Sequence, residues 1–469
     1  MESMTAGEVE SSTGGLLVSG PRNTTVSRIS IDSRTVQPGD LFFAIRGPRN
    51  DGHQFIGAVL ARGACGAVVD FSYTLAEPYP EGRILLRVEN THQALKDLAT
   101  DVRRRWRGSL VAITGSVGKT TTKEFAAHVL ETEYSVYRSP GNYNNLFGLP
   151  LSIFGLSPDD HIAVFEMGMS APGEIAEMCR IARPDVGILT NVAPVHLEFF
   201  NSVEDIARAK GELAEALQSH GTFIYNADDP LVRQIAERFS GPKISFGLGA
   251  DADVGAQDVE IAGLYETRFR VSWAGVTLKA MIPMAGTHYV MNALPAVALG
   301  QHYRIPLEQI IESLRDLRQA PMRGQVLRLR GEITVIDDSY NSNPRALTQM
   351  IEMLAQLRPT RRRFLVAGEM LELGSDSKTL HYGCGAHAAR CGIDLLAAVQ
   401  GDARELARGA VEGGMLQTNV RFAPDAESAV PIVLETAEPG DLLLIKASRG
   451  VHLERVIQAL KTRYPEERD

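Results

Sequence analysis

At 469 residues, with 44% hydrophobic residues and a net charge of −9, the chain is long enough for two to four packed domains and too acidic to be a general binder of nucleic acid. Its four cysteines, Cys65, Cys179, Cys384 and Cys391, form no C-x-x-C pair and no zinc-type cluster, which reads as reduced thiols in a cytoplasmic protein. There is no basic, apolar leader and no run of about 18 apolar residues, so neither an export signal nor a membrane span is expected.

The first hundred residues read as a small α/β unit. Strands are expected over Val26 to Ile31, Gly39 to Ile45 and Ala67 to Asp70, with helices over Gln54 to Arg62 and Thr91 to Arg105. Asp32-Ser33-Arg34 follows the first strand, and Arg34 is as readily a phosphate contact as plain surface charge. The run Arg103-Arg104-Arg105-Trp106-Arg107 reads better as cations in the last turn of a helix than as a nucleic-acid patch. Gly108 marks a boundary.

An apolar run, Leu110 to Ile113, then breaks at Thr114-Gly115-Ser116-Val117-Gly118-Lys119-Thr120-Thr121 and gives way to helix formers. Strand, glycine turn and helix form a phosphate cradle. The glycines admit close approach of backbone N–H groups, and the helix N-terminus favours an anion. Lys119 can reach β/γ-phosphates, and the Thr120 hydroxyl can hold Mg²⁺. The generic P-loop has a glycine where Ile113 stands, so the pattern alone says only that nucleotide phosphate binds.

Alternating strands and helices continue to about residue 321 and predict a mostly parallel sheet. A turn-rich loop carries Asn142, Asn144 and Asn145. His161 to Gly168 is a strand that ends on a carboxylate, Glu166, and Val186 to Asn191 is another, followed by His196. Thr120, Glu166 and His196 thus lie at strand C-terminal ends, where open α/β sheets bind ligands. Lys210 falls on the same helical face as Ile206 and Leu213, an unusual place for a lysine unless its amine snorkels or is modified. Antiparallel strands are expected near Phe269 to Trp273 and Val276 to Ile282, and a helix begins near Gly286 and carries His288 and Asn292.

Pro321-Met322-Arg323-Gly324 reads as a second linker, and a third α/β unit follows. Its strands are Ile333 to Asp338, Phe364 to Ala367, Leu395 to Val399 and Leu442 to Lys446. Polar residues cluster after the first (Asp338, Ser339, Tyr340, Asn341, Asn343) and the last (Lys446, Ser448, Arg449). Asn343-Pro344 can equally open a helix.

Together these motifs resemble the Mur ligases, ATP-dependent amide-bond-forming enzymes of peptidoglycan synthesis. The carrying residues are Thr114 to Thr120, the Asn142/Asn144/Asn145 loop, Glu166-Met167-Gly168, Asn191 with His196, Ala209-Lys210-Gly211-Glu212 and His288 with Asn292. Asp338 to Pro344, Gly368 to Gly374 and Lys446 to Arg449 are similar to the branch that adds a D-alanyl-D-alanine dipeptide. Ser342, Glu369, Ala447 and Val117 depart from its usual residues without removing a charged group. The alternative within the fold is the branch that adds the third residue; from another class, a nucleotide-binding protein without catalysis.

The resemblance implies three α/β domains. These are a UDP-sugar-binding domain (1–108), a central P-loop ATPase domain (109–321) and a Rossmann-like C-terminal ligase domain (322–469). It implies ATP and Mg²⁺ as cofactors and UDP-N-acetylmuramoyl-tripeptide and D-Ala-D-Ala as partners, with a monomer as the default. By carry-over, Lys119 stabilises the transferring phosphate, and Thr120, Glu166, His196 and a CO₂-carbamylated Lys210 support metal. Thr114 to Thr121, Asn292, Arg323 and Asp338 bind ATP. Ser33, Arg34, Asn142, Asn145, Tyr340, Asn341, Asn343, Lys446 and Ser448 bind substrate.

Overall fold

The computed structural model describes the chain except residues 1, 48–49, 75–78, 196, 201, 218–220, 360 and 468–469. Three larger sheets follow one another along the sequence. The first runs, in spatial order, Leu16–Ser19, Ile84–Val88, Gly66–Asp70, Asp40–Phe43 and Arg28–Ser30, parallel except for its first pair. The expected strand over Val26 to Ile31 is divided. Thr25–Val26 pairs with Met4–Thr5, and Arg28–Ser30 joins the larger sheet. The helix Ala6–Thr13 is additional to the expected elements, although its signal is in the sequence: Thr5 and Glu8 form a capping box.

The central sheet has nine strands. It is parallel from Val254–Gly263 through Lys243–Gly247, Thr222–Asn226, Val186–Leu189, Ser109–Thr114 and Ile162–Glu166 to Val136–Arg138. Glu266–Trp273 and Val276–Ile282 extend it in antiparallel fashion. Val254–Gly263 is not apparent from sequence because Gly, Asp and Gln dilute its alternation and its pairing is irregular after Gln257. Ser109–Thr114 sits between Val186–Leu189 and Ile162–Glu166. The chain leaves it toward one edge and later adds strands on the other side, so a crevice opens at its C-terminal end.

The last sheet runs Gln325–Leu329, Ile333–Asp338, Leu442–Lys446, Arg363–Gly368, Leu395–Val399 and Val420–Ala423, with only the first pair antiparallel. Its register sets Asp338 beside Lys446.

The first two units share a core. Leu95 and Leu98, on the helix Thr91–Arg105, belong to the same buried cluster as Leu149 and Ile175 of the central unit. Arg103 is buried at this junction. It donates to the carbonyls of Ala182 (2.7 Å) and Arg183 (3.1 Å), at the end of the helix Glu174–Ala182, and its guanidinium lies 5.2 Å from the Trp106 ring. It therefore satisfies orphan carbonyls of a neighbouring helix. Arg105 is paired with Asp101 and Glu8, so the basic run is structural at these two positions. Among the described residues, no helix is long and apolar enough to cross a membrane.

Candidate active site

The phosphate loop needs its glycines twice over. Gly115 and Gly118 have φ of 149° and 86°, a region side chains disfavour. A Cβ would also come within 1.9 Å of Thr190 Oγ1 at Gly115 and within 2.2 Å of Asn292 Oδ1 at Gly118. The loop is strapped to the end of the neighbouring strand. Val117 N–H donates to Asn191 Oδ1 (3.0 Å), and Asn191 Nδ2 donates back to the Val117 carbonyl (3.0 Å). Ser116 Oγ donates to the Ala193 carbonyl (3.2 Å) and accepts from its N–H (2.9 Å). Thr114 Oγ1 is buried against the Met167 carbonyl at 2.8 Å. The N–H groups of Ser116 and Val117 are thus committed to Asn191. Those of the first turn of the helix Lys119–Leu130, including Thr120 and Thr121, are the ones left for phosphate. Lys119 Nζ donates to the Gly115 carbonyl at 2.9 Å.

Glu166 ends its strand 3% exposed and is held from both sides. Its Oε2 accepts from Thr120 Oγ1 and its Oε1 from Asn144 Nδ2, both at 2.7 Å. Two hard oxygen donors therefore meet beside the phosphate loop. Among the described residues, no group of three or more His, Cys, Asp or Glu forms a metal cluster. This donor set suits a cation that takes most of its ligands from water and phosphate, as Mg²⁺ does. His196 lies outside the described residues.

A functional residue without a clear sequence signal is Lys123, one helical turn beyond Lys119. It is wholly buried, and its Nζ donates to the carbonyls of Ser139 (2.7 Å) and Gly141 (3.4 Å). It anchors the turn leading into the asparagine loop, while Ser139 Oγ accepts from Glu166 N–H at 3.3 Å. The available hint is a lysine in a helix stretch otherwise leading into Phe125, Ala126 and Ala127.

Lys210, on the helix Val203–Ala216, is buried at 2% exposure. Among the described residues its amine has no hydrogen-bond or ion-pair partner. Burial, and then the charge of Lys119, push its pKa well below that of an ordinary lysine. The residue also borders the cleft onto which the phosphate loop opens.

The C-terminal sheet supplies the facing wall. Arg323 Nη2 lies 3.3 Å from Thr120 Oγ1, and its guanidinium lies over the Tyr340 ring at 4.1 Å. Gly324 has φ of 78°, and a Cβ there would stand 1.9 Å from the Tyr289 hydroxyl, which itself donates to the Arg323 carbonyl at 2.9 Å. Lys446 Nζ donates to Asp338 Oδ2 (2.5 Å) and the Asn341 carbonyl (2.9 Å). Between the two walls lies a cleft of about 440 Å³ that also receives Ser116, Asn142, Asn145, Asn292 and Asn343.

Several expected substrate residues have local work. Asn145 Oδ1 accepts from the N–H groups of Phe147 (3.1 Å) and Gly148 (2.8 Å). Asn343 caps the helix Pro344–Gln356, so the helix-opening alternative describes its carbonyl oxygen. Ser448 bridges loops, accepting from Leu371 N–H at 2.9 Å. Ser33 and Arg34 stand apart from this cleft, on the first unit. Arg62 donates to both their carbonyls at 2.7 Å, and Arg34 is paired with Asp32.

His288 borders the cleft, and its Nε2 is buried and unpartnered. Burial, and then the Lys446 charge, lower its pKa to about 3. The unfolded chain therefore binds a proton that the folded chain refuses, and stability is lost as pH falls below about 6.5. Between pH 7 and 5 this term amounts to up to about 2 kcal/mol. Urea unfolding at the two pH values is expected to show it in the native chain and to show a flatter response in His288→Gln.

A phosphate loop and a carboxylate on one α/β sheet, faced by cations from a second, define a P-loop nucleotide-binding protein whose site is shared between domains. The chain belongs to the Mur ligase family. Residues 25–103 match the family's catalytic domain, 113–300 its middle domain and 322–449 its glutamate ligase domain. The UDP-N-acetylmuramoyl-tripeptide–D-alanyl-D-alanine ligase of Bacillus subtilis is 33% identical, over 93% of each chain. The MurF crystal structure from Acinetobacter baumannii superposes with a TM-score of 0.88 at 30% identity, covering 98% of this chain and 99% of that one. MurF from Thermotoga maritima, solved in complex with ADP, superposes at 0.82 with 29% identity, over 93% and 97%.

Proposed function

We infer that this chain uses ATP to join D-alanyl-D-alanine to UDP-N-acetylmuramoyl-tripeptide, giving the pentapeptide, ADP and phosphate. The observation that carries the reading is the shared cleft, with Lys119, Thr120 and Glu166 on one wall and Arg323, Asp338 and Lys446 on the other. The near-full-length similarity to ligases of that name supports it.

A carboxylate is a poor acylating agent, so the tripeptide carboxylate is first phosphorylated by ATP. The dipeptide amine then attacks the acyl phosphate and inorganic phosphate leaves. The residues act mainly by position and charge. Lys119 neutralises the transferring phosphate, and the first-turn N–H groups cradle its neighbours. Asn292 contacts adenine, and Arg323 and Asp338 hold the ribose and phosphate region. Thr120 and Glu166, with His196, would hold Mg²⁺, which would shield phosphate charge. Ser33 and Arg34 belong to the sugar-nucleotide end. Asn142, Asn145, Tyr340, Asn341, Asn343, Lys446 and Ser448 surround the peptide substrates.

Lys210 completes the site as a carbamate. Its neutral amine attacks CO₂, a C–N bond forms and a proton leaves, so a buried amine becomes an anion near Lys119. The use of ATP and four unpaired cysteines fit a cytoplasmic reaction.

Phosphate release with the UDP-sugar tripeptide, ATP and D-Ala-D-Ala tests the reading. Release that depends on the dipeptide is expected. Release with a single amino acid and none with the dipeptide would transfer the chain to the third-residue-adding branch.

A further inference from the structure

We propose that Arg345, which does not line the cleft, is a positioning residue that couples docking of the C-terminal domain to the shape of the phosphate loop. Arg345 lies in the first turn of the helix Pro344–Gln356. Its Nη1 crosses to the central domain, donating to the Val192 carbonyl at 3.1 Å and lying 3.5 Å from Asp229 Oδ2. Asp229 is 6% exposed and already engaged there. Its Oδ1 caps the helix Pro230–Arg238 through the N–H groups of Leu231 and Val232, and its Oδ2 accepts from Val192 N–H at 2.9 Å. Both polar groups of the Val192 backbone are therefore gripped from one side, the N–H by Asp229 and the carbonyl by Arg345.

The residues on either side of Val192 are gripped from the other. Asn191 holds both the N–H and the carbonyl of Val117, and Ala193 offers its own N–H and carbonyl to Ser116 Oγ. Asn191 and Ala193 are thus bonded to the phosphate loop, while Val192 between them is bonded to Asp229 and, across the domain junction, to Arg345. With planar, fixed-length peptides between them, displacement at Val192 is passed to Ser116 and Val117. Those two residues immediately precede Gly118 and Lys119, whose positions decide where phosphate sits. A misplacement near 1 Å in such a site costs on the order of 10²-fold in rate. Docking of the third domain therefore does two things: it brings Arg323 and Lys446 to the cleft, and through Arg345 it sets the loop they face.

The proposal rests on the ligase reading for its kinetic test and on nucleotide binding alone for a second one. In the full-length chain, Arg345→Met removes the guanidinium and keeps the apolar stem, whereas Arg345→Lys keeps a charge that can satisfy one acceptor. Arg345→Met is expected to lower kcat about 10- to 30-fold and to weaken ADP binding about fivefold, with the melting temperature within about 2 °C of the native value. Arg345→Lys is expected to recover most of both. Combined with Ser116→Ala, Arg345→Met is expected to be strongly non-additive, the double variant falling within about twofold of the worse single variant, because both changes cut the same strap. Multiplicative effects, or a change confined to the KM for the dipeptide, would overturn the coupling and leave a simple interdomain contact. Absence of dipeptide-dependent phosphate release in the unmodified chain would instead fail the ligase reading, and ADP titration of the variants would still decide the role of Arg345.

Discussion

Lys210→Ala is expected to abolish ligation, with a loss on the order of 10³-fold, and short carboxylic acids such as formate or acetate are expected to restore part of it. The expectation follows from the chemistry of an enclosed amine. A buried ammonium without an anionic partner among the described residues is unfavourable, and Lys119 makes it more so. Burial and the Lys119 charge therefore shift the amine toward its neutral, nucleophilic form. Carbamylation would exchange this liability for an anion that Lys119 would stabilise. Truncation at Lys210 leaves a void that a small carboxylate can enter, carrying the same charge to the same place. Phosphate release by Lys210→Ala, measured with and without added formate, checks this. Full activity in the unsupplemented variant would remove the carbamate.

Lys119→Met is expected to reduce kcat by about 10³-fold or more while binding of the UDP-sugar tripeptide stays within about twofold of native. Lys119 is half-buried on the cleft wall, and desolvation lowers its pKa, with Glu166 opposing and Arg323 adding to the effect. A charge set against the phosphates in a half-buried cleft is screened less than one in bulk water. Its contribution grows as charge shifts onto the departing ADP, so its loss falls on kcat rather than on substrate binding. Turnover by phosphate release and tripeptide affinity by titration separate the two quantities. Unchanged kcat would remove Lys119 from the reaction.

Much of this site is legible in the amino-acid sequence. The break from Leu110–Ile113 into Gly115 and Gly118 marks the phosphate loop, and the glycine conformations match the need inferred for them. Glu166 ends a strand as its apolar run implies. Spacing from Ile206 and Leu213 sets Lys210 inward, where it is found. The Thr91–Arg105 helix has the expected limits. Other signals are too weak to read. Ala6–Thr13 and Val254–Gly263 carry few apolar residues, so periodicity says little about them even where a capping box is present. Lys123 is hidden for another reason: a lone lysine after a phosphate loop gives no local sign that two carbonyls, 16 and 18 residues further on, will close over its amine.

What the sequence by itself determined is local. It specified where the chain turns at positive φ, which strands end in polar groups, and which face of a helix points inward. These follow from backbone sterics and from periods of 2 and 3.6 residues, which act over a few neighbours. What only the tertiary structure decided is which distant groups meet. Arg323 reaches Thr120 from 203 residues away, Asp338 pairs with Lys446 across a parallel register, and Arg345 reaches Val192 from 153 residues away. Such meetings depend on how sheets and helices pack over long loops, and no local period encodes that. The phosphate loop can thus be read from a dozen residues, whereas the wall that faces it and the strap that shapes it exist only once the domains have docked.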